Sequence, residues 1–468
     1  QEPYRIVLRD LRKKLNNTRV WAEGSEPPCE NLILYRDDLY SPLHACYQSL
    51  NLCGMKIIAD GLLKQTLIRV STFGVTLVDL DIRQNAEEHI ELLNELTILL
   101  ELGSYKAWSE KARNDFLLQE LESKRPLIPQ GWEPRGQGAE VLKTFELIAQ
   151  GNGEGISSYI ISMAKNPSDV LAVVLLMQKC GLTRKLPVVP LFETLEDLEN
   201  AAWTLERLLR TRWYTKYIEG FQQVMIGYSD SAKDAGQMAA AWAQYRAQEE
   251  LVIVAEKYHV DLTLFHGRGG AAGRGGGPAR QAILSQPPGS VKNSMRVTEQ
   301  GEMIRFKYGS APLAVSNLDL VLSATIEASL LPPPKPMENW RTLMDKLSVS
   351  ASSSYRKRVS DPDFVNYFID GTPERELALL ALGSRPARRS NNENDRSIDD
   401  LRAIPWVFAW TQKRLMIPAW LGTDAALADD LVGKYGYVLK EMVMEWPFFQ
   451  TQLDMLEMVL AKADADIS

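Results

Sequence analysis

Between about residues 70 and 310, short apolar runs alternate with longer helical patterns, and this alternation restricts the fold more than any other feature. Strands separated by helices give βα units and a parallel sheet. The runs cover residues 75–82, 158–163, 186–192, 223–228, 261–265 and 295–298. About six such units point to an α/β barrel of the TIM type, complete or lacking part of its wall, with extensive additional α-helices. One connecting helix is marked by Asn166, Pro167 and Ser168 at its start and Gly181 past its end. Another is expected from Ser231 through Tyr258. The flanks differ from this pattern. A helical segment spans 1–70, the (β/α) barrel part with the active-site loops spans 71–310, and a mostly helical segment with a mobile polar loop near 388–400 spans 311–468.

The chain has 468 residues, 45% of them hydrophobic, enough apolar material for a large core. No uninterrupted apolar segment reaches the roughly 18 residues of a membrane span, and residues 1–5 lack a signal-peptide pattern, so a cytoplasmic protein is expected. Cys29, Cys46, Cys53 and Cys180 form no CxxC pair and read as reduced thiols. The chain opens without methionine into a basic amphipathic helix over 4–15, and a helix over 455–463 stops abruptly, which reads as a fragment.

Residues 265–278, Phe-His-Gly-Arg-Gly-Gly-Ala-Ala-Gly-Arg-Gly-Gly-Gly-Pro, follow one of the strand runs. Glycines admit positive φ and close ligand approach, while Arg268 and Arg274 offer planar forks of donors, so the segment reads as an anion-binding loop. An RNA-binding Gly-Arg tail or a plain connector is the bland alternative. Both fit poorly, because the segment is short, flanked by apolar residues, and carried by a chain of net charge -7.

Barrel strands converge at one face, so polar residues at their ends meet there. Glu193 follows the 186–192 run and Asp230 follows 223–228. Two carboxylates facing an arginine loop suit an octahedral magnesium or manganese site, and helix capping is the structural alternative. Lys233 lies one turn beyond Asp230, where the helix dipole disfavours a cation, and calls for an anionic partner. Arg83 ends its own strand, with a salt bridge inside that segment as its alternative. Gln300 holds the equivalent place after the last run. His44, His89 and His259 fall on helical patterns, leaving His266 beside the loop.

Residues 224–236, Val-Met-Ile-Gly-Tyr-Ser-Asp-Ser-Ala-Lys-Asp-Ala-Gly, strongly resemble the signature around the active-site lysine of the phosphoenolpyruvate carboxylase family, bacterial type. Residues 265–278 resemble its glycine-rich loop, and the similarity continues through 279–309, 383–387 and 401–406. It covers essentially the whole chain. The resemblance implies a magnesium-dependent lyase of the cytoplasm, allosteric and tetrameric, that joins bicarbonate to phosphoenolpyruvate to give oxaloacetate and phosphate. It implies no nucleic-acid or membrane partner. By position, Glu193 and Asp230 match metal ligands (Mg2+ or Mn2+). Arg83, Arg268, Arg385 and Arg402 match phosphate-binding arginines, with Gly269 and Gly270 beside them. Arg274 and Lys233 match residues that handle bicarbonate and carboxyphosphate, Gln300 matches a carbon dioxide pocket residue, and His266 adds a candidate catalytic group.

Two departures qualify the match. Ala271-Ala272 replaces a hydroxyl residue and its branched neighbour. The family's Thr-Ala-His-Pro-Thr signature and its extreme C-terminal region have no counterpart here, so impaired or absent turnover by this chain alone is expected. A non-catalytic phosphoenolpyruvate- and metal-binding piece, or another phosphoenolpyruvate-binding barrel enzyme, is the alternative.

Overall fold

The computed structural model describes residues 2–24, 31–267, 278–299, 301–379, 401, 403–464 and 466. Six strands form one sheet: β1 (Leu80–Asn85), β2 (Ile156–Ser162), β3 (Val188–Phe192), β4 (Phe221–Gly227), β5 (Asp261–Gly267) and β6 (Arg296–Val297). Their order in the sheet is their order in the chain. Parallel registers pair Leu191 with Met225, Met225 with Phe265, and Phe265 with Arg296. The sheet is curled as half a barrel in a mostly helical chain, which meets the coarse expectation of an α/β fold.

Ile160, Val189, Leu191, Met225 and Phe265 form one buried cluster and so define the inner face of the sheet. Because strand side chains alternate with period two, Glu193, Gly227 and Gly267 fall on that face, while Ile226 and His266 face the helices.

Local departures from the sequence reading have local causes. The first strand starts at Leu80 because Gly74 (φ 58°) ends helix Lys64–Phe73 and Leu77 (φ 71°) turns the chain left-handed. The helix expected over 231–258 is two helices, Ser229–Ala235 and Gln237–Lys257, broken at Gly236 (φ 82°). His259 stands in the turn after the second helix, at φ 54°, rather than on it. Helix Pro167–Lys179 forms where expected, and the Asp169 carboxylate accepts from the main-chain N–H groups of Lys165 and Asn166 at 2.9 Å each. Cys46, Cys53 and Cys180 are free thiols, while Cys29 and the polar loop near 388–400 lie outside the described residues.

The chain divides into two compact units, one of Gln1–Ile82, Leu142–Tyr159 and Met177–Leu186, the other of Arg83–Val141, Ile160–Leu176 and Pro187–Ser468. In the first, Leu11, Ile33, Leu43, Leu67 and Val70 form the core between helices Pro3–Ala22, Arg36–Leu52 and Lys64–Phe73. In the second, helix Gln237–Lys257 packs Met238, Trp242 and Tyr245 against Trp340, Leu343 and Met344 of helix Glu338–Val359. Helix Ala311–Leu330 is long and apolar enough to cross a membrane by length and composition alone. Asp319 and Glu327 interrupt its apolar run, which is why no continuous span shows in the sequence. Its Ala324 and Ala328 pack with Ile283 and Val291, while Leu318, Leu322 and Ile326 are exposed.

Candidate functional site

The C-terminal ends of β1, β3 and β4 bring the candidate residues of the second unit together. Arg83 of β1 donates from Nη2 to Glu193 Oε1 at 2.8 Å. Glu193 follows β3 on the inner face and is only 4% exposed. Its other oxygen accepts from the Met163 main-chain N–H at 2.8 Å, where the chain has turned left-handed (φ 58°). A buried carboxylate needs such partners, because desolvating an unpaired charge costs several kcal/mol. Arg83 therefore pairs across the sheet rather than within its own segment.

Capping is done by the next residue instead. Thr194 Oγ1 accepts from Asp197 N at 3.2 Å, and Asp197 Oδ2 accepts from Thr194 N at 3.0 Å, a capping box for helix Leu195–Arg210. The Glu193 carboxylate is left for Arg83 and Met163.

β4 approaches this group closely. A Cβ on Gly227 would lie 2.8 Å from Phe192 O, 2.9 Å from Glu193 Cα and 3.2 Å from Glu193 Cγ, so only glycine fits. The chain then enters helix Ser229–Ala235, which carries Asp230 and Lys233, both half-buried, one turn apart on the same face. The N-cap residue Tyr228 makes no side-chain cap bond, and Asp230 sits in the first turn of the helix. Ser231 Oγ donates to Gly227 O at 3.0 Å, and Gln244 Nε2 donates to Gly227 O at 3.2 Å and to Ser231 Oγ at 2.9 Å.

His266 is 1% exposed and lies on the helix-facing side of β5, with Nδ1 2.8 Å from the Tyr228 hydroxyl. Which of the two donates depends on the imidazole tautomer. The structure thus brings Arg83 to Glu193, places Asp230 and Lys233 on the adjoining helix, and sets His266 behind the sheet. Arg268, Gly269, Gly270, Arg274, Gln300, Arg385 and Arg402 lie outside the described residues. Met163, Tyr228 and Gln244 were not anticipated, and Ser231 was expected only at a helix start. The Tyr-Ser-Asp-Ser run after a strand signals such hydroxyl anchoring, whereas nothing in the sequence points to Met163.

The described residues contain no group of three or more His, Cys, Asp or Glu able to hold a metal. A hard cation takes one or two carboxylates plus water and substrate oxygens. Glu193 and Asp230 supply oxygen donors of that kind. Both Glu193 oxygens also accept N–H bonds, from Arg83 and Met163, and a carboxylate oxygen has more than one acceptor site. The donor set therefore fits.

A curled parallel sheet with acidic and cationic side chains at its strand ends, set in a mostly helical chain, defines an α/β protein. The sequence profile of one family, phosphoenolpyruvate carboxylase, matches residues 1–468, and the chain belongs to that family. It is 53% identical to the phosphoenolpyruvate carboxylase of Hahella chejuensis, with 100% of this chain and 53% of that relative covered. Identity to the phosphoenolpyruvate carboxylases of Pseudomonas aeruginosa and Escherichia coli O139:H28 is 54%, covering 100% and 99% of this chain and 53% of each relative. The chain spans about half the length of the curated relatives it matches.

Proposed function

We propose that the chain carries the phosphate- and enolate-handling part of a cytoplasmic phosphoenolpyruvate carboxylase, on a sheet that forms part of a TIM-type barrel. The observation that carries this reading is the Arg83–Glu193 pair beside the helix bearing Asp230 and Lys233. In the reaction, a bicarbonate oxygen attacks phosphorus, the bond from phosphorus to the enol oxygen breaks, and carboxyphosphate and the enolate of pyruvate form. Carboxyphosphate releases carbon dioxide and inorganic phosphate, and the enolate carbon bonds to the carbon dioxide, giving oxaloacetate.

Each step develops negative charge that fixed cations can hold. Arg83, Arg268, Arg385 and Arg402 take the phosphate, with Gly269 and Gly270 letting the main chain approach. Lys233 and Arg274 take the bicarbonate-derived anion, and Gln300 lines the pocket for carbon dioxide. His266, bonded to Tyr228, acts from behind β5 on the start of the loop. Glu193 and Asp230 would hold Mg2+ or Mn2+, which when bound supplies positive charge for the enolate oxygen. Self-association, with the 311–468 segment as its surface, follows the family resemblance.

The test is oxaloacetate formation from phosphoenolpyruvate, bicarbonate and magnesium, followed with malate dehydrogenase. Turnover that disappears in Asp230→Ala and in Lys233→Ala supports the reading. The second reading is binding of phosphoenolpyruvate and metal without turnover. Ligand binding by a folded chain that forms no oxaloacetate selects it.

A further inference from the structure

Helix Ser229–Ala235 carries Asp230 and Lys233, yet it has only seven residues, too few to be stable by itself. Its N-terminal end is tied to β4 by Ser231 and Gln244. Its C-terminal end is held from a place far off in sequence. Tyr355, near the end of helix Glu338–Val359, is fully buried, and its hydroxyl donates to the main-chain oxygen of Lys233 at 2.7 Å. Carbonyls in the last turn of a helix have no N–H of their own helix to accept from, so this hydroxyl fills a vacancy. Arg356 donates from Nη2 to the Asp234 carboxylate at 3.2 Å and from Nε to Asp234 O at 3.3 Å.

Gly236 makes this contact possible. A Cβ there would stand 3.1 Å from Cγ of the Tyr355 ring, so the ring seats against a bare Cα while its hydroxyl reaches the carbonyl three residues earlier. Gly422 packs closely on the same segment, where a Cβ would lie 2.3 Å from Ala351 O and 3.1 Å from Tyr355 Cβ.

We propose that Tyr355 and Arg356 are positioning residues for Lys233. Tyr355 fixes the main chain of Lys233 itself and Arg356 holds the next residue, so the ammonium is offered to an anionic ligand from one place. The identity of that ligand rests on the carboxylase reading; the positioning does not. Tyr355 carries the larger part, because the Arg356–Asp234 pair is solvent-exposed and screened by salt.

The experiment acylates lysines of the intact chain and follows each by mass spectrometry, with and without phosphoenolpyruvate and magnesium. Lys165 and Lys257 in the same molecule serve as references. Tyr355→Phe keeps the ring and removes only the hydroxyl. It is expected to change the Lys233 rate about threefold, with both references unmoved, and to weaken ligand protection of Lys233 about tenfold. Arg356→Ala is expected to change the rate about twofold at low salt only, with Arg356→Lys restoring most of it. A Lys233 rate unchanged in Tyr355→Phe overturns the proposal, as does a rise shared equally by all three lysines, which marks general loosening. Absence of ligand protection in the parent chain instead counts against the carboxylase reading, and the ligand-free rates still decide the positioning.

Discussion

β3 and β4 leave the sheet side by side and are held in opposite ways. The exit of β3 is braced by near neighbours, Thr194 and Asp197, in a capping box that closes within four residues. The exit of β4 is braced from a distance, by Gln244 on the following helix and by Tyr355, 122 positions away. The β3 exit holds its shape by local chemistry. The β4 exit, which carries Asp230 and Lys233, depends on the second unit having assembled.

The comparison can be broken most severely at the point where the two exits touch. Gly227→Ala puts a methyl 2.8 Å from Phe192 O, and a loss of about 3 kcal/mol in denaturant unfolding is expected. A neutral result would mean that the close approach is not tight. Arg83→Met leaves the buried Glu193 without its guanidinium, at a cost of about 2 kcal/mol, moderated because Arg83 is partly exposed. Adding Glu193→Gln should recover about 1 kcal/mol of this in a double-mutant cycle.

Acid sensitivity should come from neither exit. Burial pushes the His89 imidazole down to about 3 from 6.5, so below pH 6.5 the unfolded chain binds a proton that the folded one refuses. Stability from this source is complete above pH 6.5 and is lost as pH falls toward 3, by about 2 kcal/mol at pH 5. Burial raises the Asp169 carboxyl to about 6 despite its two main-chain bonds, which works in the opposite sense as pH falls through 6. The acid slope between pH 7 and 5 should therefore be shallower in His89→Gln than in the parent, by about 2 kcal/mol in stability.

The smallest effects sharpen the contrast. Thr194→Ala and Ser231→Ala should each cost about 1 kcal/mol. Only Ser231→Ala should alter the acylation rate of Lys233. Equal effects on that rate would erase the distinction between the exits.

The same distinction decides what could be read from the sequence. Five of the six strand runs lie within a few residues of β2 to β6, because each is an apolar run bounded by turn residues. Glu193 and Asp230 were legible as strand-end residues and Lys233 as one turn beyond, while β1 runs on to Asn85, past the end expected at Arg83. The partner of Arg83 was not legible, since Glu193 is 110 positions away. The face taken by His266 was hidden because β5 is buried on both sides, leaving no polar alternation to show which residues point inward. Gly236 lies inside the single helix expected over 231–258; its positive φ belongs to the packing of Tyr355, which no local pattern announces. Met163 escaped for a related reason. An unbranched apolar residue gives no sign that its N–H, not its side chain, makes the contact.

Three successive strands finish on one carboxylate, since Glu193 itself follows β3, Arg83 comes from β1, and Met163 N from the end of β2. That common knot secures the C-terminal rim of the sheet, so fraying of these strands should begin at their opposite ends. Slow amide exchange would then be concentrated around residues 161–163 and 192–193, and any transient opening would leave the rim that bears the charged groups intact until last.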